Sequence, residues 1–504
     1  MIVERTSENR PFALPEIPED AVLCVDFDDT LIRGDSLWET VLGAFKKDFA
    51  GTVRAFLRLR GGKVPFKKAI AEILVPDPDS FAWREELVEE LRAQKARGRE
   101  VVLATAAHRT TAEAVQRKLG LFDRVIATQD DGPNVISEAK VSAIRAAFGE
   151  RPVFYVGDSK DDLPLWKAFG GAAVAPSRAL ESALKKIPNV AILREERPSP
   201  AKILLRTLRA HQWTKNLLLF APLAFAHRLG DVGALLSLFA GFAAFCAACS
   251  AVYVFNDLSD VASDRLHPSK RRRPIASGLV SVPRAAALVP LLLGVSAACA
   301  AAVGSSGFAA VLALYLLLTF AYSLLVKRVL VFDVLLLAGL YTIRMVAGAE
   351  ASATPVSFWL LVFSMFLFVS LATLKRFVDL RDLQKNGLVR SAGRAYCVDD
   401  LPVLRAAGVS SAANAALVLA LYVQSARFGA FYNNPEFFWL IIPALLYGLL
   451  RMWIFAERGT MDEDPVLFAV RDRVTWATGL FVLAMAALAK SAPAIPWLAE
   501  RLWR

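Results

Sequence analysis

Cysteine is scarce in this sequence: five in 504 residues, at Cys24, Cys246, Cys249, Cys299 and Cys397, too few and too scattered for a disulfide framework. The one close pair, Cys246 and Cys249, has C-x-x-C spacing but lies inside an alanine-rich apolar run, where small residues at a helix–helix contact account for it better than redox or zinc chemistry. A secretory leader is missing as well. Met1 to Asp20 carries acids and prolines but no apolar stretch, so the first domain is expected to stay in the cytoplasm. The third scarcity, charge, is local. From Trp213 onward, apolar runs of about 20 residues recur with almost no charge, each long enough to cross a hydrocarbon layer about 30 Å thick. This excludes a protein soluble throughout. The net charge of +11 does not point to nucleic acid, because much of the excess sits between apolar runs, at Arg265, Lys270, Arg271, Arg272, Arg273 and Arg284. Cytoplasmic loops of membrane proteins collect such residues, and an anionic substrate needs them.

What is present divides unevenly. Residues 1–195 read as a soluble domain, 196–203 as a linker within the proline-bearing stretch around Arg194–Pro200, and 204–504 as a membrane domain. In the first part the apolar runs Ala21–Val25, Glu100–Thr105, Arg124–Ala127 and Pro152–Val156 alternate with helical stretches, the pattern of a doubly wound parallel sheet. Residues from about 36 to 95 lack such runs and read as a helical insertion after the first strand. The second part offers nine candidate spans, roughly 213–230, 232–255, 284–304, 307–326, 330–348, 356–374, 407–425, 436–455 and 474–491. With the N-terminus inside, the loops 256–283, 327–329, 375–406 and 456–473 fall on the cytoplasmic side and hold most of the loop lysine and arginine. The expected fold class is multidomain: an N-terminal α/β doubly wound domain with a helical cap, then an all-α polytopic membrane bundle of about nine transmembrane helices in the inner or plasma membrane.

Val25-Asp26-Phe27-Asp28-Asp29-Thr30 sets two carboxylates two residues apart just past a strand, as covalent phosphate hydrolysis requires: one acts as nucleophile, the other as acid and base. Thr105 ends a later strand, Lys140 opens a helix, and Gly157-Asp158-Ser159-Lys160-Asp161-Asp162 ends another strand. Together these resemble the four motifs of the haloacid dehalogenase superfamily over about residues 20–195. The resemblance implies Asp26 as nucleophile, Asp28 as acid/base, Thr105 and Lys140 on the phosphoryl oxygens, and a Mg²⁺ site of Asp26, Asp28 and Asp158 with Asp162 in support. The helical insertion becomes the cap that screens substrates. A catalytically idle sensor or docking module is the alternative for this domain.

The strongest signal is Asn256-Asp257-Leu258-Ser259-Asp260-Val261-Ala262-Ser263-Asp264-Arg265, at the end of the second span, followed by His267-Pro268-Ser269-Lys270-Arg271-Arg272-Arg273-Pro274. Asp257, Asp260 and Asp264 stand three and four apart, which on a helix gives one face three carboxylates. Acids at a membrane boundary are costly unless compensated, and Mg²⁺ favours carboxylates together with phosphate oxygens. Lys270 and Arg273 suit a departing pyrophosphate. The pattern resembles the UbiA superfamily of intramembrane prenyltransferases, over about residues 204–495.

Gln212-Trp213-Thr214-Lys215-Asn216, Tyr322 through Lys327, Arg344 and Lys375-Arg376-Phe377-Val378-Asp379-Leu380 look like one branch, the polyprenyl-phosphate phosphoribosyltransferases. So do the pairs Asp464-Pro465 and Arg471-Asp472. That resemblance implies phosphoribosyl pyrophosphate as donor and a polyprenyl phosphate as acceptor. It places Lys215, Asn256, Arg265, Lys270, Arg273, Tyr322, Lys327, Arg344, Lys375 and Arg376 toward substrate, and Asp257, Asp260, Asp264 and Asp379 toward metal. Asp257 and Asp260 would be catalytic through that ion. The second acidic pair, Asp379 and Asp382, is three apart where the wider superfamily has four, which argues against an ordinary prenyl diphosphate. The alternative remains a prenyl diphosphate donor alkylating an aromatic or lipid acceptor. Arg328 reads as an interfacial anchor, whereas Arg344 lies mid-span, where a guanidinium needs a polar cavity.

Overall fold

The computed structural model describes residues 12–387, 389, 395–425, 432–461, 465–491 and 493, apart from the side chains at 327, 466, 467 and 470. It divides into two compact units, one running to Ala210 and including Tyr253–Leu291, the other comprising His211–Val252 and the chain from Leu292 onward.

The first unit is built on six strands, β1 (Val22–Val25), β2 (Val101–His108), β3 (Arg124–Thr128), β4 (Val153–Gly157), β5 (Gly171–Val174) and β6 (Val190–Leu193). All are parallel, in the order β3-β2-β1-β4-β5-β6. Each residue of β1 is fully buried, as a central strand covered on both faces must be. One face packs Leu23, Val25, Leu103 and Val156, and the other packs Val22, Cys24, Val102 and Tyr155. Because β1 lies between β2 and β4, the chain leaves its carboxyl end in opposite directions on its two sides, and a crevice opens there. The four expected strands are present within a few residues of their expected ends, and β5 and β6 are additional.

The insertion after β1 is helical: α1 (Ser36–Lys47), α2 (Phe49–Leu57) and α3 (Lys63–Ile73). Asp35 caps α1 and Asp48 caps α2, each accepting from backbone N–H groups of the first turn. The three helices share a small core of Val41, Ala55, Phe66, Ala69 and Ile70, so the cap holds itself together.

Among the described residues eight helices are long and apolar enough to cross a membrane, and they form the helical bundle: Val232–Ser259, Val282–Val303, Ser306–Leu324, Phe332–Ala351, Phe358–Lys385, Val398–Val423, Pro435–Glu457 and Arg473–Ser491. The first of the nine expected spans is built differently from the rest. The stretch expected to span at 213–230 is instead a 3₁₀ helix at Ala210–Phe220 and a short α helix at Ala221–Phe225. The cause lies in its polar residues. Asn216 is fully buried and bonded to Arg344, and Pro222 lies in the first turn of the short helix. A 3₁₀ helix rises roughly 2 Å per residue, so this shorter segment still reaches close to 30 Å. It packs tightly: a Cβ at Gly348 would run into the carbonyl oxygen of Leu219.

Candidate functional site

In the first unit the carboxyl ends of β1, β2 and β4 gather Asp26, Thr105 and Asp158, with Lys140 beside them. The Lys140 Nζ lies 2.9 Å from Asp26 Oδ2 and 2.9 Å from the Tyr155 hydroxyl, with only 1% of Lys140 exposed. Thr105 is buried and accepts from the Ala107 N–H, while Thr30 donates to Asp158 at 3.1 Å. Asp26, Asp158 and Asp162 each offer a carboxylate oxygen within 4.8 Å of the others, a donor set suited to a hard cation. Asp162 is also heavily engaged. It accepts from the Asp158 and Ser159 N–H groups through one oxygen and from the Tyr155 hydroxyl through the other, so it shapes the loop that carries Asp158. Asp28 stands apart from the metal cluster, its Oδ1 accepting from the Ser36 N–H at 2.7 Å.

The electrostatics follow from burial. Desolvation pushes Asp26 up to about 6, with Lys140 pulling the other way. Asp28 and Asp158 are raised well above the usual carboxylate range, first by burial and then by neighbouring acids. Burial works against the Lys140 ammonium, but Asp26 and Asp162 more than offset it and its pKa is raised. Clustered acids of this kind are unstable without a cation among them, and a carboxyl whose pKa burial raises, as at Asp28, is better suited to protonating a leaving group than an exposed one.

The acidic motif that begins in the last turn of the span Val232–Ser259 lies in the same unit. The helix breaks at Asp260, which begins the next helix, Val261–Leu266, although i-to-i−4 bonding continues through Asp260 and Asp264. Asp257 and Asp264 are buried and share one guanidinium: the same Arg273 nitrogen is 3.1 Å from Asp257 Oδ1 and 2.6 Å from Asp264 Oδ2. Arg209, which the sequence did not single out, also donates to Asp257 and stacks over Tyr253. Asp257, Asp260 and Asp264 do not bring three oxygens within 4.8 Å of one another. Two of them do converge on one positive centre, the Arg273 guanidinium. Lys270 is exposed in the turn Lys270–Arg272, and Asn256 is half-buried with its carbonyl accepting from Asp260.

Arg265, expected toward substrate, is held in the structure by protein partners. Its two terminal nitrogens grip Glu39 of α1 at 2.7 and 2.8 Å, one of them also donates to the Ser80 carbonyl, and its Nε donates to the Ala276 carbonyl. Both side chains of this ion pair are nearly buried, 6% and 7% exposed. Nearby, a Cβ at Gly278, whose φ is +75°, would collide with the backbone of Arg33, so the loop after the acidic motif sits directly on the loop after Asp28. Burial raises the Glu39 pKa although Arg265 opposes it, so most of the pair's attraction goes to offset desolvation. Arg265→Ala should therefore cost about 3–5 kcal/mol by stranding Glu39, whereas the double replacement Arg265→Met/Glu39→Leu should recover most of that loss. Denaturant unfolding of the full-length chain measures both.

The second unit holds two further polar centres. Arg344, 5% exposed, donates to Asn216 at 2.9 Å and to the Tyr315 hydroxyl at 3.1 Å, with Cys249 beside it and its guanidinium over Tyr315 and Tyr341. Cys246 accepts from Asn216 and all five cysteines are free, so the C-x-x-C pair lines this polar pocket. Lys215 lies over the Tyr341 ring, which ties the stretch Gln212–Asn216 to the same place in the bundle. At the other centre, Arg376 donates to Asp333 at 2.7 Å and Asp379 at 3.1 Å, and to the Tyr322 hydroxyl at 2.5 Å. Asp333 also accepts from Tyr396 at 2.7 Å and is fully buried. Arg376, Tyr322 and Asp379 thus hold one another around Asp333, a residue the sequence reading missed. An acid at the start of an apolar span was the available signal. Lys375 is half-buried on the same helix as Arg376. The side chain of Lys327 and residue Asp464 lie outside the described residues. Asp472 caps the last helix through Thr475 and pairs with Arg451, whose hydrogen bonds pull its pKa down to about 2.

Residues 217–479 match the model of the UbiA prenyltransferase family, and residues 23–167 match that of haloacid dehalogenase-like hydrolases. An uncharacterized protein of Sinorhizobium fredii, y4nM, is 33% identical over 96% of this chain and 95% of its own length. The decaprenyl-phosphate phosphoribosyltransferase of Mycobacterium tuberculosis is 32% identical over 296 residues, 58% of this chain and 93% of that one. Among solved structures, a UbiA homolog from Archaeoglobus fulgidus bound to GPP and Mg²⁺ is 19% identical, with 57% of this chain and 98% of that one covered and a TM-score of 0.42.

Proposed function

From the premise that this chain belongs to the UbiA prenyltransferase family and carries a haloacid dehalogenase-like domain at its N-terminus, we propose that it transfers phosphoribose from phosphoribosyl pyrophosphate to a polyprenyl phosphate. On this reading the N-terminal domain then removes the 5-phosphate. The observation that carries the reading is the pairing of Asp257 and Asp264 on the Arg273 guanidinium, with Arg209 also on Asp257, an arrangement of acids and bases fitted to a metal-bound pyrophosphate. The likeness to a decaprenyl-phosphate phosphoribosyltransferase over nearly its whole length supports the ribosyl donor over a prenyl one.

Asp257, Asp260 and Asp264 would hold Mg²⁺ with the donor phosphates, and the ion would supply charge neutralisation for the leaving pyrophosphate. Arg209, Arg273 and Lys270 add to that neutralisation as the bond from C1 of ribose to pyrophosphate breaks. The phosphate oxygen of the lipid forms the new bond to C1. In the N-terminal domain Asp26 attacks the 5-phosphate, Asp28 gives its proton to the departing ribose oxygen, and Lys140 and Thr105 hold the phosphoryl oxygens. Water then releases phosphate from Asp26. Asp26 and Asp158 would hold Mg²⁺ there. The loops rich in lysine and arginine favour a cytoplasmic N-terminal domain, on the side where phosphoribosyl pyrophosphate is made available.

Purified full-length protein given polyprenyl phosphate and Mg²⁺ should form ribosylated lipid from phosphoribosyl pyrophosphate. Product from geranylgeranyl diphosphate and none from phosphoribosyl pyrophosphate would instead establish the prenyl donor. A second expectation concerns pH. A folded Asp26 raised above its unfolded value favours the protonated state, so without metal the contribution of Asp26 to stability is fully present in acid and is lost as pH rises through about 6. Mg²⁺ competes with that proton. The Mg²⁺-induced rise in melting temperature should therefore be larger near roughly pH 7.5 than near roughly pH 5, as thermal unfolding at both values would record.

A further inference from the structure

The cap carries a surface that its own fold does not use. Thr52 and Ala55 of α2 point into the cap core, with Phe56 packed against it. Phe49, Val53 and Leu57, at i, i+4 and i+8, share a different face and are 69%, 46% and 61% exposed. Leu59, 41% exposed, extends that face into the turn Arg58–Gly61. A nine-residue helix that is apolar on both its inner and outer faces has a second neighbour to satisfy.

The surrounding charge identifies that neighbour. From Lys46 to Lys63 the sequence holds Lys46, Lys47, Arg54, Arg58, Arg60 and Lys63 against one acid, Asp48, and all six cations are exposed. Exposed aromatic and aliphatic side chains interleaved with lysine and arginine form the surface of a helix that lies in the headgroup layer of an anionic membrane. The long basic side chains can reach phosphates while their stems rest on the apolar layer. The location agrees. Lys46, at the end of α1 and just before α2, donates to the carbonyl of Ser259, the last residue of the apolar helix Val232–Ser259 that is long enough to cross a membrane. We propose that α2 and the turn after it dock the phosphatase cap onto an anionic phospholipid surface, with Phe49, Val53 and Leu57 inserted among the acyl chains and Arg54, Arg58, Arg60 and Lys63 against the headgroups. The cap is then a lipid-gripping element as well as a screen, and its catalytic crevice is held against the surface from which a lipid-linked phosphomonoester would be drawn. The docking itself does not depend on which donor the membrane domain uses.

The test uses the full-length chain in nanodiscs loaded with one chain each, so that no second copy can cover the helix. With Cys299 and Cys397 replaced by serine, a nitroxide is attached at Val53→Cys, at Leu57→Cys or, as a solvent-facing reference on the helix Glu85–Ala96, at Arg92→Cys. Accessibility to oxygen and to a water-soluble nickel chelate is then compared. In discs containing phosphatidylglycerol, positions 53 and 57 should show a severalfold higher oxygen-to-nickel ratio than position 92, and the ratio should fall in discs of phosphatidylcholine alone. Ratios at 53 and 57 equal to that at 92 in anionic discs would overturn the docking. A ratio unchanged between the two lipids would overturn the part assigned to the basic residues.

Discussion

Asp26→Asn is expected to lower hydrolysis of a simple aryl phosphate by the full-length protein at least ~10⁴-fold while ribosyl transfer continues, so that lipid product accumulates with its 5-phosphate in place. The substitution is isosteric, and its amide can still accept from the Phe27 N–H that now bonds Asp26 Oδ1 at 2.8 Å, so the loop should keep its shape. What is lost is the nucleophilic oxygen 2.9 Å from Lys140 and one of the three carboxylates in the cation site. Phosphate analysis of the extracted lipid reads the outcome. Full dephosphorylation by Asp26→Asn would separate the N-terminal domain from the pathway even if transfer stood.

The second large effect belongs to Asp257. Replacing it with alanine should reduce transfer by at least ~10³-fold, because a metal ligand is removed and Arg209 and Arg273 lose the carboxylate that orients them. Asp260→Ala should act in the same direction, and Asp264→Ala should free Arg273 on its other side. Hydrolysis of aryl phosphate by Asp257→Ala should stay within about twofold of wild type, since the phosphatase groups are separate from those that bond Asp257. A parallel loss of both activities would mean that the change had damaged the unit as a whole.

Parts of this architecture could be read directly from the chain. β1 and β4 are continuous apolar runs that deliver acids at their ends, and buried parallel strands leave that trace. β5 and β6 did not register because each is only four residues long: Gly-Ala-Ala-Val has mostly small side chains, and Val-Ala-Ile-Leu is a half-buried edge strand that does not deliver an acid at its end. Hydropathy located eight spans but not their ends. The helix Phe358–Lys385 runs past the expected 374 because Arg376, though charged, is buried against Asp333 and Tyr322. The acidic motif was legible by spacing, yet its partners were not. Arg209 is 48 residues from Asp257, and Glu39 is 226 from Arg265, and no local periodicity reports contacts at such separations. The same limit explains Arg265. Its place within an acidic and basic run suggested a ligand, and only the fold shows Glu39 waiting for it.

The claim on which the rest depends is that Asp257 and its neighbours bind linked phosphates through a divalent ion. Titration calorimetry of inorganic pyrophosphate into the full-length Asp26→Asn protein tests it without turnover. Binding should require Mg²⁺, disappear with chelator, and weaken at least ~100-fold in the Asp26→Asn/Asp257→Ala protein. Equal affinity with and without Asp257, or tight binding in the absence of any divalent ion, would contradict the account.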